Sequence, residues 1–364
     1  MIRFLPLAAA VCLATCASAA GASAPAVVSP MQSIPAEDSR FRYEGRFDRS
    51  NPATPVVVWQ GSRIAIDFEG SALALRFEWV EGQNYFDVTI DDTTTVFAVN
   101  KADHSRLTFP QPLGPGRHRL TIFKRSEAAA GNARFLGIEI ALGAHAWVPP
   151  APTYKLKMQF IGDSITVGAC NEDGPTDQWE DRSTHNNARS YGALTASAYQ
   201  ADYRNIAVSG MGIVLGYVEP HAGQIWDRVY PVASSPKADL AAWTPDVVFV
   251  NYGENDDSFT TTNKLPFPAR FTENYIALVQ AIRAAHPQAH IVILRGGMYG
   301  GANSEPLREA WSTAVRRLKA GDPRVYSYVF THWSRNHPRV SDDRAMADEL
   351  TAWLEKQTFM AAYK

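Results

Sequence analysis

The sequence predicts two domains of different class: an antiparallel β sandwich of jelly-roll type, then an open parallel sheet with helices on both sides. Three observations predict it. Up to about residue 145, apolar residues alternate in short runs split by turns, the pattern of half-buried strands. After Lys155 they gather into compact runs with helical stripes between them, the pattern of buried parallel strands and crossover helices. Between the two lies "AHAWVPPAPTYK", whose three prolines end the first pattern.

The chain opens with "MIRFLPLAAAVCLATCASAAG": one Arg, an apolar stretch, then small residues. This reads as a secretory signal peptide over 1–20. Ala17-Ser18-Ala19 offers a cleavage site and Ala22-Ser23-Ala24 a second. Thr15 is a poor fit to a lipoprotein signal, so lipid anchoring at Cys16 is not expected. The expectation is an exported protein, periplasmic or extracellular. No other segment is long and apolar enough to span a bilayer. Cys12 and Cys16 leave with the signal, so Cys170 is the one thiol of the mature chain and no internal disulfide forms. Cys170 is expected to be a half-buried loop thiol rather than a second nucleophile. With 46% hydrophobic residues, a chain of this length can build its cores without disulfides. The net charge of -2 comes with no basic run, so nucleic acid is not an expected partner.

The sandwich is expected over 30–150. "VVVWQGSRIAIDFEGSALALRFEWV" supplies alternating runs split by Gly-Ser and Glu-Gly-Ser turns. "YFDVTIDDTTTVFAV" reads as a hairpin turning at Asp91-Asp92, and "HRLTIFKRS" and "ARFLGIEIALG" complete the set. Many short strands without a helical period indicate a sandwich.

The second domain is expected over 155–364. Its strands are "KLKMQFIG", "YRNIAVSG", "DVVFVNYG", "HIVILRGG" and "RVYSYVF". Leu307, Trp311, Ala314 and Leu318 fall on one helical face with Ser304 as cap. Met346, Leu350 and Leu354 form another stripe, with Ser341, Asp342 and Asp343 at its start, where acids suit the helix dipole. In such sheets ligands bind beyond the carboxyl ends of the strands. Gly162-Asp163-Ser164, Ser209-Gly210, Gly253-Glu254-Asn255-Asp256 and Arg295-Gly296-Gly297 all fall there.

That edge collects the parts of a nucleophilic site. Ser164, in "FIGDSIT", ends an apolar run on a sharp turn. His337, in "WSRNHPRVSDD", follows the last strand, and Pro338 restricts its backbone. A serine nucleophile needs a base and its oxyanion needs donors. Gly210 can bring a backbone N–H close to a substrate because no Cβ stands in the way, and Asn255 adds a side-chain N–H. Asp163 is read as tying down the turn. His332 and His337 as a metal pair lack convergent ligands, so neither metal nor cofactor is expected. Trp333 reads equally as a pocket wall or a core ring. No G-x-S-x-G occurs, which argues against an α/β-hydrolase lipase.

FIGDSIT, NIAVSGMG, NYGENDDS and the terminal NHP resemble the sequence blocks of the GDSL, or SGNH, hydrolases, which implies an α/β/α, flavodoxin-like sheet. In that likeness Ser164 matches the nucleophile, Gly210 the block-two glycine (Gly212 if the register differs), Asn255 the oxyanion asparagine and His337 the base. "FRYEGRFDRSNPATPVVVWQGSRIAIDFEGSALAL" is similar to the jelly-roll domain of carbohydrate esterase family 2, which joins such a domain to an SGNH domain in this order. The resemblance implies a carbohydrate O-acetyl esterase acting on hemicellulose, xylan or glucomannan, with preference for the 6-O position, whose partner is an acetylated poly- or oligosaccharide. Other SGNH esterases, acting on peptidoglycan acetyls, lipids or thioesters, are the near rivals. The polar stretch "CNEDGPTDQWEDRSTHNNARS" suits a sugar cleft better than a lipid. A polysaccharide-binding protein with an idle hydrolase domain is the more distant rival. One departure stands out: the family often carries an Asp two or three residues before the histidine, and here those positions hold Arg335 and Ser334. The expectation is therefore a Ser-His dyad with a backbone carbonyl orienting the ring, and Asp342 and Asp343 serving the last helix.

Overall fold

The computed structural model describes residues 30–109 and 113–363. The signal-peptide reading, with Cys12 and Cys16, lies outside them. Two antiparallel sheets come first. One has the order Phe47–Asp48, Val56–Val57, Gly131–Ala141, Leu73–Gly82, Arg106–Thr108, and Met31–Pro35 also pairs with Gly131–Ala141. The other has the order Ala146–Trp147, Arg63–Glu69, Arg117–Lys124, Tyr85–Ile90, Thr93–Ala98. Side chains that alternate inward from both meet in one core containing Phe68, Phe77, Phe86, Phe135 and Ile138. Phe77 and Phe86 stack with centroids 4.9 Å apart, so aromatic contact adds to the area buried. The hairpin turns at Asp91-Asp92, with Asp91 in the left-handed region at φ 53°, a conformation Asp tolerates. The strand at Met31–Pro35 escaped the sequence reading because "MQSIP" is too short and polar to show a period.

The second half is a five-stranded parallel sheet of order Asp202–Ala207, Lys157–Gly162, Val247–Asn251, His290–Met298, Val325–Ser334. Counted along the chain this is 2-1-3-4-5, which leaves a crevice where the order reverses, beside Lys157–Gly162. Both faces are covered. Ile161, Ile206, Val250 and Ile293 pack with Leu307, Trp311 and Leu318 on one side. Phe160, Phe249, Val292 and Leu294 pack with Met346, Leu350 and Leu354 on the other. Phe160 stacks on Phe249 at 4.3 Å across neighbouring strands. Ser304 caps the helix Glu305–Gly321 by accepting the Leu307 N–H. The last strand runs on to Ser334, so His332 and Trp333 lie on it rather than in a loop. No helix of the described residues is long and apolar enough to cross a membrane.

The two halves share buried groups. Trp59 of the sandwich is fully buried within the same apolar cluster as Ile206 and Val250 of the parallel sheet, and its indole donates to Val229 O at 2.7 Å. Gln60 donates to Asn205 Oδ1 and Ala207 O, both at 2.8 Å. Arg46 donates to Trp226 O at 2.8 Å, and Arg63 pairs with Asp202 at 2.9 Å.

Candidate active site

The strand Lys157–Gly162 ends in a turn that only glycine permits: a Cβ on Gly162 would stand 2.2 Å from Thr166 Oγ1 and 2.8 Å from Asn251 O. Asp163 then caps the short helix Ser164–Val167, its Oδ1 accepting the Ile165 N–H at 3.1 Å. The aspartate therefore ties down the turn, as its sequence position suggested. Burial, reinforced by the charge of Glu254, pushes its carboxyl well up. The turn leaves Ser164 at the mouth of the reversal in strand order.

His337 Nε2 lies 2.9 Å from Ser164 Oγ. Its other ring nitrogen, Nδ1, lies 2.7 Å from Asp177 Oδ2, and the same oxygen accepts the His337 backbone N–H at 3.2 Å. Arg339 holds the second oxygen, Oδ1, at 2.8 Å. Burial alone would raise the Asp177 carboxyl, but the hydrogen bonds from His337 and Arg339 outweigh it and hold the group well below the carboxylate range. A carboxylate on Nδ1 fixes the tautomer that leaves Nε2 free to accept a proton from Ser164. The expectation of a dyad oriented by a backbone carbonyl is thus corrected. The acid stands in the polar stretch after the serine, 160 positions from the histidine, and tertiary folding brings it in. Asp342 is engaged elsewhere: it accepts from His332 Nε2 and from the Arg339 N–H, both at 2.8 Å, at the start of the helix Val340–Leu354. Asp343 is buried and accepts from Asn171 and from the Tyr191 N–H.

A cavity of about 570 Å³ is lined by Ser164, His337, Gly210 and Asn255, so all four residues singled out in the sequence face one space. Gly210 sits at φ 79°, where L side chains are disfavoured. Gly212 is absent from that lining, and a Cβ there would meet Leu215 O at 1.6 Å, so it serves close backbone packing. Asn255 donates its amide to Asp163 Oδ2 and Met211 O, both at 3.1 Å. To serve an oxyanion it must share or release one of these bonds.

The polar loop supplies more than Asp177. Trp179 sets its edge on the His337 ring at 5.0 Å, and Arg182 lies over the Trp179 face at 4.9 Å. Gln178 ties the loop to itself through Asp173, Asp181 O and Thr184. The sequence signal for all this was one Trp among acids in a polar run, which marks a surface but names no contact. Trp333 is 39% exposed, with its ring against Tyr299 at 5.6 Å, which excludes the core-ring alternative.

Cys170 is fully buried rather than half-buried, and burial pushes its thiol well up. Among the described residues, one group of side chains has the types and spacing to hold a metal ion: Cys170, Asp177 and His337, whose ligand atoms lie within 4.8 Å of one another. A metal there would have to replace the Asp177–His337 hydrogen bond. His332, the other half of the pair weighed from sequence, faces Asp342.

Comparison with known proteins matches both halves of the chain. Residues 43–152 match the carbohydrate esterase 2 N-terminal family, and residues 160–354 match the GDSL-like lipase/acylhydrolase family. The chain therefore belongs to the GDSL-like lipase/acylhydrolase family, and within it to the family 2 carbohydrate esterases. It is 31% identical over 327 residues to a cellulase/esterase of Acetivibrio thermocellus, covering 86% of this chain but only 39% of that protein. It is 28% identical to an acetylxylan esterase / glucomannan deacetylase of Cellvibrio japonicus, covering 85% of this chain and 87% of that one. A family two carbohydrate esterase from Clostridium thermocellum, solved with cellohexaose, superposes with a TM-score of 0.78 at 29% identity, over 86% of this chain and 98% of that one.

Proposed function

We propose that the chain is an exported carbohydrate O-acetyl esterase that removes acetyl groups from glucomannan at the 6-O position of the sugar, or from xylan, whose pentose rings carry no O6, at their ring hydroxyls. The observation that carries this reading is the hydrogen-bonded line from Ser164 through His337 to Asp177 at the wall of one cavity. The acetylxylan and glucomannan activities named for the Cellvibrio japonicus relatives support the substrate class, and the signal-like N-terminus supports export.

In this reading Ser164 Oγ attacks the acetyl carbonyl carbon while His337 Nε2 takes its proton. The tetrahedral oxyanion is held by the Ser164 and Gly210 N–H groups and the Asn255 amide. Collapse expels the sugar oxygen, which takes the proton from His337 and leaves an acetyl-enzyme. Water then attacks that ester, giving its proton to His337, which passes it to the departing Ser164 oxygen, so that acetate is released and the enzyme is restored. Asp177 stabilises the imidazolium formed at each step.

The reading is tested by acetate release from acetylated mannan, acetylated xylan and O-acetylated peptidoglycan. Release from either hemicellulose, with loss of the 6-O-acetyl signal of the mannan in proton NMR where the mannan is the substrate, is the expected result. Release from peptidoglycan alone, or from none of them, would overturn it. A second expectation concerns the donors. Asn255→Ala should lower kcat by about 10²–10³ with little change in KM, as loss of one oxyanion donor does. An effect confined to KM would make Asn255 a substrate ligand instead.

A further inference from the structure

One carboxylate of the sandwich reaches the catalytic cavity. Glu127 lies in the turn between the strands Arg117–Lys124 and Gly131–Ala141. It is only 2% exposed, yet it lines the same cavity as Ser164 and His337. Its Oε2 accepts the Ser209 N–H at 2.8 Å. Ser209 immediately precedes Gly210, which sits at φ 79°. Its Oε1 lies 3.5 Å from Arg182 Nη1, so a cation offsets the charge. The turn is itself anchored: Ala128 N donates to Gln60 Oε1 at 3.0 Å, and Gln60 in turn holds Ala207 O at 2.8 Å. The carboxylate is therefore presented from a fixed backbone.

We propose that Glu127 is a positioning residue for the ester hydrolysis, setting the Ser209–Gly210 segment so that the Gly210 N–H already faces the developing oxyanion. Glycine is the most permissive residue of the chain, and an oxyanion donor contributes only when held in place before the reaction. A hydrogen bond from the preceding amide to an acceptor oxygen held at a fixed reach supplies that hold. The inference rests on the reading of Ser164 and Gly210 given above. It makes the sandwich a part of the catalytic centre.

The test compares Glu127→Ala, Glu127→Asp and Glu127→Gln on a chromogenic acetyl ester, with Ser164→Ala alongside. Rates are taken per active site, counted with a serine-directed phosphonate. Asp keeps the charge but draws the acceptor back by one methylene, whereas Gln keeps an acceptor oxygen in place. The expected result is kcat lowered more than tenfold in the Ala and Asp variants, KM within threefold, and Gln within threefold of the parent. A merely structural role would lower the number of titratable sites and leave kcat per site unchanged. The proposal is overturned if kcat per site falls less than tenfold in Asp, if the loss sits in KM, or if Gln falls as far as Asp. These comparisons hold even if the Ala variant does not fold. Activity surviving in Ser164→Ala would instead overturn the site reading on which the proposal stands.

Discussion

Replacing Ser164 by alanine is expected to lower acetyl-ester turnover by a factor on the order of 10⁶, the scale seen when a serine nucleophile is removed from a working triad. Among the described residues, the Ser164 Oγ is the hydroxyl hydrogen-bonded to the base: it lies 2.9 Å from His337 Nε2 and faces the cavity. Cys170 offers no substitute, because its thiol is buried and pushed well up. The fold should persist. Asp163 caps the turn through its own side chain and Gly162 makes the bend, so the lost hydroxyl costs only about 1 kcal/mol or so of hydrogen bonding. The check is kcat on a generic acetyl ester together with a thermal melt. Turnover within tenfold of the parent, in a folded variant, would reject Ser164 as nucleophile.

The second large effect is expected at Asp177. Asp177→Asn should cost on the order of 10⁴ in kcat, because an amide that donates to Nδ1 forces the histidine into the tautomer that cannot accept the serine proton. The variant also removes the ion pair between Asp177 and Arg339 at 2.8 Å, so some stability goes with it, although Arg339 keeps its bonds to the carbonyls of Gly174, Cys170 and His337. Asp342→Asn is the comparison. It disturbs the start of the last helix, at about 0.5–2 kcal/mol of stability, and the contact with His332, and should keep its turnover. If Asp177→Asn retains turnover within tenfold, His337 works without a carboxylate and the dyad expected from the sequence returns.

These two predictions mark where sequence reasoning stops. Ser164, Gly210, Asn255 and His337 could be brought together on paper because each follows an apolar run, and the ends of parallel strands share one edge. The two-domain architecture was readable for the same reason: a period of two and compact buried runs leave different traces in the residues themselves. Asp177 leaves no such trace. It lies in a loop without period, and its partner is chosen by how Gln178, Asp173 and Thr184 fold that loop upon itself. The stretch just before His337 holds no acid, since the family's usual positions are filled by Ser334 and Arg335. Glu127 was hidden for a related reason: it belongs to the other domain. Trp179 was legible as an aromatic in a polar stretch but not as a neighbour of the histidine.

The shared burial of Trp59 has a consequence for motion. Parting the sandwich from the sheet would return this ring to water, and at about 25 cal/mol per Å² for at least ~150 Å² that alone costs roughly 4 kcal/mol. An opened arrangement would then be populated at about one part in a thousand or less. Full separation of the two halves is therefore a rare state, and the line from Ser164 through His337 to Asp177 is already assembled without it. On the proposed reading, an acetylated sugar chain meets a cleft whose two halves are already joined.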